Sequence, residues 1–114
     1  CDPFRWAQLM EQWATDGLPV EDYPTSSPAR MVPAWAKFYD AVTGGTLAHD
    51  GDPRLVRHVS NMTLKTDRLG PRPVKEHRGS PRSIDLGVCA VGAYDRATWH
   101  AAQAPVVRIV PRFF

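Results

Sequence analysis

The apolar positions of the N-terminal half follow the period of an α-helix twice. After the helix-starting pair Asp2-Pro3 they recur at i, i+3, i+4 and i+7 up to Gly17: Trp6, Leu9, Met10 and Trp13. A second stretch follows Pro28 and stops at Gly44, with one apolar side: Met31, Val32, Trp35, Phe38, Tyr39 and Val42. Because Pro33 weakens its first turns, we expect the regular part of this helix to begin there. Residues 18–23, between the helices, predict a brief strand.

The C-terminal half predicts a short helix, a β-hairpin and a long last helix. An extended piece at 47–49 precedes the short helix, which Asp52-Pro53 opens. The hairpin pairs residues 62–66 with 74–75 through a turn at 67–70. Ser80-Pro81 is expected to cap the last helix, whose small residues permit close approach to a sheet. Residues 106–110 are apolar and predict either a strand or an unpaired tail.

The side chains on these apolar stripes are the predicted core. Eight of them are expected to be largely buried: Trp6, Leu9, Trp13, Trp35, Tyr39, Ile84, Val88 and Val91. The chain has 114 residues, of which 43% are hydrophobic, so one modest globular domain is expected. Its longest stretch without charge or strong polarity, 86–94, is far shorter than the ~20 residues of a membrane-spanning helix.

The number of cysteines and the distribution of charge restrict the kinds of function that the chain can have. Only Cys1 and Cys89 are present, which excludes a disulfide framework and favours a reduced, cytoplasmic setting, with Cys89 a small core residue. The net charge of +2 divides into −5 over residues 1–53 and +7 over 54–114. The basic residues concentrate in 54–82, which indicates either a polyanion-binding face or a solvated, charged loop region.

Two carboxylates are candidates for chemistry because of where they stand. Asp2 directly precedes the first helix, and Asp85 falls between Ile84 and Leu86, which we expect to be buried. An acid on the inward side of a helix is costly unless it is paired or binds a metal. The plain alternatives are a helix N-cap for Asp2 and an acid favoured by the helix dipole for Asp85. The four histidines show no zinc spacing, and neither a P-loop nor a nucleophile elbow is present.

Several short motifs in fixed order carry a resemblance to a known family. The chain reads His49-Asp50-Gly51-Asp52-Pro53, then His58-Val59-Ser60-Asn61, then Lys75, then Ser83-Ile84-Asp85. Cys1-Asp2-Pro3 precedes the amphipathic helix, and residues 25–43 form the next one. Over about residues 1–100 this order resembles the C-terminal nuclease domain of phage terminase large subunits. The resemblance implies an α/β chain that is the C-terminal part of an RNase H-like nuclease fold, an incomplete mixed sheet with flanking helices.

The resemblance also implies a metal-dependent DNA endonuclease that cuts concatemeric viral DNA during genome packaging. In that family three acidic side chains hold two divalent metals, Mg²⁺ or Mn²⁺, at a phosphodiester. Asp2 matches the second acid and Asp85 the third, whereas the first would lie upstream of Cys1, with the ATPase domain farther upstream. Residues 1–114 would then be a partial nuclease domain that is inactive alone, with its two carboxylates close together in space.

Further roles and partners follow from the same resemblance. Lys75 is expected near the metals and the scissile phosphate, and His58 and Asn61 are expected to hydrogen-bond the helix end and the hairpin. Six arginines of the basic segment are expected to contact the phosphates of double-stranded DNA: Arg54, Arg57, Arg68, Arg72, Arg78 and Arg82. The full-length protein that contains this chain would bind a portal protein and a small terminase subunit. It would be encoded by a phage or prophage and would act in the cytoplasm of the bacterial host, with no membrane contact.

Two alternative functions, neither of them enzymatic, remain open. The chain could be a small non-catalytic DNA-binding module that uses the basic 54–82 segment, although no helix carries a clear row of base-reading side chains. It could also be a protein–protein interaction piece that uses Trp6, Trp13 and Trp35, although apolar stripes favour a core role for these residues. Dependence of activity on a divalent metal distinguishes the nuclease from both.

Overall fold

The computed structural model describes residues 2–103, which form four helices and one hairpin. The elements in chain order are α1 Pro3–Thr15, α2 Pro28–Thr43, α3 Pro53–Ser60, β1 Thr63–Asp67, β2 Gly70–Val74 and α4 Asp85–Ala102. The prediction that the chain contains both helices and strands is therefore confirmed. The sheet of the described residues is two-stranded and antiparallel, with Thr63 opposite Val74 and Asp67 opposite Gly70. None of the described helices has the length and apolarity to cross a membrane.

The core lies where α2 packs against α4. Five buried residues form its central cluster: Tyr23, Met31, Ala34, Phe38 and Val91. α2 also packs against β2, and α3 packs against α4, whereas α1 makes no comparable contact with any described helix or strand. The three helices and the hairpin after residue 27 thus form one packed body, to which α1 is joined by the extended segment 16–27.

The core prediction is only partly correct. Ile84 and Val91 are buried, but Trp6 is 49% and Tyr39 53% exposed. The other four expected core residues are half-buried: Leu9, Trp13, Trp35 and Val88. α1 has no helix or strand as a major packing partner among the described elements, and Met10 is the one buried residue of its stripe. Trp6 stacks on Trp13 within the same helix at 6.4 Å between ring centroids. Burial follows the packing partner, which helical periodicity alone does not reveal.

Two helix starts differ from their predictions. α2 begins at Pro28 and continues through Pro33 without interruption, because a proline this near the start removes a single backbone hydrogen bond. α4 begins at Asp85 and not at Ser80-Pro81. Ser80 is buried in the preceding loop, where its hydroxyl donates to Glu76 at 2.6 Å and accepts from the backbone N–H of Arg82. The hydroxyl is therefore occupied by the loop and does not cap the helix.

Two short strands expected from the sequence are absent. Residues 18–23 and 47–49 are irregular, and neither lies beside β1 or β2 in the described sheet. A strand needs a hydrogen-bonding partner, and the Val20 N–H instead bonds locally to the Leu18 carbonyl. The hairpin is confirmed, but β2 begins at Gly70 and is longer than expected. The strand proposed for 106–110 lies outside the described residues.

Candidate functional site

A cavity of about 990 Å³ lies between the start of α1, the segment 19–25 and one side of α4. All three residues expected to carry chemistry line it: Asp2, Lys75 and Asp85. They come from the start of α1, the residue after β2 and the first residue of α4. Its apolar side includes Trp6, Ile84, Val88, Cys89, Gly92 and Ala93. The structure therefore brings together side chains that are far apart along the chain.

Asp2 is the N-cap of α1, and both of its carboxylate oxygens accept hydrogen bonds. Oδ1 accepts from the backbone N–H of Phe4 at 3.0 Å, the ordinary contact of an N-cap. Oδ2 accepts from the hydroxyl of Thr25 at 2.5 Å, across 23 positions of sequence. These bonds, that of Thr25 foremost, hold the pKa of Asp2 below its usual value of 3.8. Asp2 is therefore an anion at neutral pH. The backbone N–H of Thr25 also contacts this carboxylate, whose four lone pairs exceed the donors around it.

Asp85 is placed by contacts that fix the first turn of α4. Its own side chain is exposed toward the cavity, and it has no hydrogen bond or ion pair with the other described residues. Ile84, the N-cap residue, provides no side-chain cap. His58 replaces that cap, because its Nδ1 accepts from the backbone N–H of Leu86 at 3.0 Å. The carbonyl of Ser83 accepts from the Asn61 side-chain amide at 3.0 Å, which ties α3 to the same helix start.

These contacts define the roles of His58 and Asn61 in the structure. Both bind the start of α4 and neither binds the hairpin. The acceptor role of Nδ1 requires a neutral His58 ring with its proton on Nε2. The expectation that both neighbours of Asp85 are buried is half correct: Ile84 is 7% exposed, but Leu86 is 40% exposed. Asp85 thus lies at the surface edge of the cavity and not in the core.

Lys75 is one of two cationic side chains that line this cavity, and Arg96 is the other. It follows β2 directly, is half-buried, and its ammonium donates to the Ser80 carbonyl at 3.4 Å. Among residues 2–103, no group of three or more histidine, cysteine, aspartate or glutamate side chains is arranged to hold a metal ion. The cavity is lined by three carboxylates, those of Asp2, Glu21 and Asp85, and by the cationic groups of Lys75 and Arg96. Glu21 is ion-paired with Arg96. The carboxylates of Asp2 and Asp85 and the ammonium of Lys75 make no ion pair among the described residues, and such a set can attract a hard cation and a phosphate oxygen together.

The six arginines of the basic segment divide into two equal groups. Three are ion-paired: Arg54 with Asp52 at 2.6 Å, Arg72 with Asp67 at 3.7 Å, and Arg82 with Glu76 at 3.6 Å. The Arg54 contact lowers the pKa of Asp52 to about 2. The other three are exposed and have no acidic partner in the described part of the chain: Arg57, Arg68 and Arg78. Only this second group is fully available to an external polyanion.

Sequence reasoning missed a buried polar network beside the cavity. Asp95 is 7% exposed; its Oδ2 accepts from the Tyr23 hydroxyl at 3.0 Å and its Oδ1 from the Lys37 ammonium at 2.8 Å. Burial by itself raises the pKa of Asp95, but these hydrogen bonds outweigh it and leave the pKa below 3.8. Burial and the adjacent carboxylate raise the pKa of Tyr23. The available signal was an acid in line with Ile84, Val88 and Val91 on α4.

Cys89 also differs from its prediction. It is exposed and lines the cavity, although its helix position suggested a small core residue. The small residues that follow it on this side of α4, Gly92 and Ala93, also line the cavity.

Comparison with protein-family models, with curated proteins and with solved structures gave no match. The assignment of a family therefore depends on the motifs of the sequence and on the geometry of the cavity.

Proposed function

We propose that this chain is part of a metal-dependent DNA endonuclease of the terminase large subunit kind, with an RNase H-like fold. The observation that carries the proposal is the convergence of Asp2, Lys75 and Asp85 on one cavity. These are the three residues, among many charged ones, that the family resemblance implies for catalysis. Of the twelve acidic residues of the chain, three line this cavity: Asp2, Asp85 and Glu21.

The donor set of the cavity fits a divalent cation of the magnesium or manganese type. Hard cations prefer carboxylate oxygens, and Asp2 and Asp85 provide them, Asp2 with part of its acceptor capacity already used by Phe4 and Thr25. A bound divalent metal would activate water and stabilise the leaving oxygen of the phosphodiester. Lys75 would hold the scissile phosphate through its ammonium. A third carboxylate would come from the longer protein that the resemblance implies, so the isolated chain is expected to bind metal weakly.

The basic surface fits a nuclease with little sequence preference. Contacts to phosphates position a duplex without reading its bases. Arg57, Arg68 and Arg78 would supply such contacts, because their guanidinium groups are exposed and lack acidic partners among the described residues. Cleavage in the cavity and attachment through these arginines would then depend on separate residues.

Nicking of a supercoiled plasmid by the longer protein tests the proposed activity. We expect Asp85→Asn to abolish cleavage with Mg²⁺ or Mn²⁺ and to leave DNA binding nearly unchanged, because a neutral amide of similar shape holds a metal poorly. Asp40→Asn is the matched control, since Asp40 is an exposed carboxylate on α2 that does not line this cavity. Full cleavage by the Asp85→Asn protein would contradict the proposal. The 114-residue chain alone should not nick DNA; if it does, the third ligand lies within it, and Glu21, the other carboxylate that lines the cavity, is the first candidate.

The proposed division among the arginines is tested on α3. We expect Arg57→Ala to weaken DNA binding and to reduce the slope of log affinity against log salt by about 1, the contribution of one phosphate contact. Arg54→Ala is the matched change on the same helix, and we expect a smaller effect because Arg54 is paired with Asp52. Equal effects of the two substitutions in a fluorescence anisotropy titration at several salt concentrations would refute the division.

A further inference from the structure

The orientation of the Asp2 carboxylate is controlled from outside its own helix. The bond from the Phe4 N–H to Oδ1 is local and would form in an isolated helix start. The bond from the Thr25 hydroxyl to Oδ2 is different, because it joins α1 to the loop before α2. Thr25 is half-buried and itself lines the cavity. The Phe4 N–H and the backbone of Thr25 also bond the carboxylate, and the hydroxyl is the strongest of the three influences on it, so its loss would alter the direction of the remaining lone pairs.

The position of Thr25 is in turn fixed by the buried network two residues earlier. Tyr23 is 6% exposed, and its ring lies so close to α4 that a Cβ added at Gly92 would be 3.0 Å from it. Its hydroxyl bonds Asp95, which also holds Lys37 of α2. The segment that carries Thr25 is therefore attached to both helices of the core. Through Thr25, this attachment extends to Asp2 on a helix that otherwise packs against little.

We propose that Thr25 is a positioning residue for Asp2 as a ligand of a divalent metal ion. The inference depends on the proposed function, because it assumes that Asp2 binds the metal. Oδ2 accepts from the Thr25 hydroxyl with one lone pair, and its other lone pair would help to hold the cation. Hydrogen bonds to metal-ligating carboxylates orient the ligand, and their loss typically weakens metal affinity by about 10-fold or more. The rival role, a purely structural tie of α1, predicts a loss of stability with no specific loss of metal affinity.

Mn²⁺ binding to the 114-residue chain provides the test, because paramagnetic broadening of NMR signals detects weak binding. The probe is Mn²⁺ alone, titrated into the native chain and into the variants Thr25→Val and Thr25→Ser. Valine matches the shape of threonine without the hydroxyl, whereas serine keeps the hydroxyl. We expect broadening at Asp2 and Asp85 in the native chain, about 10-fold weaker affinity in Thr25→Val, and recovery of most of the affinity in Thr25→Ser.

The outcomes separate this inference from the proposed function. Without broadening at Asp2 and Asp85 in the native chain, the metal site itself fails, and the positioning role fails with it. Native binding with equal affinity in Thr25→Val would overturn the positioning role alone. So would a Thr25→Ser chain as weak as Thr25→Val, because the hydroxyl would then not be the cause. Chemical-shift dispersion of the Val91 and Tyr23 signals verifies that each variant is folded, and Thr25→Ala replaces Thr25→Val if the latter is not.

Discussion

Asp95 shows how a single side chain can contradict a simple pattern. It continues the apolar side of α4, yet it is a buried acid whose two oxygens bond Tyr23 and Lys37. An unpaired buried carboxylate would be strongly destabilising, so its presence in the core requires these partners. Because Lys37 and Tyr23 come from α2 and from the segment 16–27, Asp95 joins three parts of the chain that periodicity treats separately.

The pairing of Asp95 predicts a specific loss of stability in acid. The pKa of Asp95 is lower in the folded chain than its ordinary value of 3.8. The unfolded chain therefore binds the proton more readily, so this contribution to stability is complete above pH 3.8 and is lost as the pH falls through the folded pKa. At pH 6 we expect Asp95→Asn to reduce the free energy of unfolding by about 1–3 kcal/mol. Between pH 6 and pH 3 the native chain should lose more stability than Asp95→Asn.

Urea unfolding at the two pH values measures this difference. The remaining carboxylates with lowered pKa, among them Asp2 and Asp52, titrate in both proteins and cancel in the comparison. Asp40→Asn serves as the control for removal of an exposed acid. Parallel loss of stability in the native chain and in Asp95→Asn would show that the buried carboxylate is not preferentially ionised in the fold.

Among the elements, the hairpin depends on one glycine for its contact with α2. Gly70 begins β2 with a φ of +127°, and a Cβ there would lie 3.0 Å from Cγ1 of Val32. A residue with a side chain would therefore meet both an unfavourable backbone conformation and a crowded neighbour. Gly79, with a φ of +123°, has open space at the same position. The two glycines thus share the backbone requirement but differ in the contact.

Alanine substitution separates these two costs. We expect Gly79→Ala to lower the free energy of unfolding by about 1 kcal/mol through the backbone conformation alone. Gly70→Ala should cost about 1–3 kcal/mol more, because the added methyl group overpacks the contact of β2 with α2. Thermal or urea unfolding of the two variants gives the difference. If they are equally stable, either Val32 moves aside without cost or the hairpin is not held against α2.

The four helices could be predicted from the sequence. The starts of α2 and α4, and the irregular conformation of residues 18–23 and 47–49, could not. Caps and periodicity define α1 and α3, since Asp2 and Asp52 are N-caps with a proline next to them. The start of α4 depends on His58, a residue 28 positions from Leu86 whose role no local pattern reveals. Residues 18–23 have the composition of a strand but no strand beside them in the described part of the chain. Local signals therefore predict local structure and fail where a distant partner decides it.

For the whole molecule, the sequence selected three of the residues that line the cavity but did not point to Glu21, Arg96 or His100, which line it as well. Motif order selected Asp2, Lys75 and Asp85, and one cavity contains all three. The sequence did not reveal that this cavity would have an open apolar side, with Trp6 49% exposed and Cys89 exposed. An apolar side next to charged groups is typical of a surface that another part of a protein covers. On the proposed function, the additional strands of the longer nuclease domain would cover it.

Thiol reactivity measures whether this cavity is covered. In the 114-residue chain, Cys89 should react with a maleimide or with an aromatic disulfide at a rate within about 10-fold of the unfolded chain, because it is exposed. In the longer protein, strands packed on α4 would shield it, and we expect the rate to fall by about 100-fold or more, the size of effect that burial in a stable core produces. A Cys1→Ser background leaves Cys89 as the one thiol of the 114 residues. Equal rates in the short and long proteins would mean that the added chain does not pack on this side of α4, and the RNase H-like arrangement would then be wrong even if Asp2 and Asp85 bind metal.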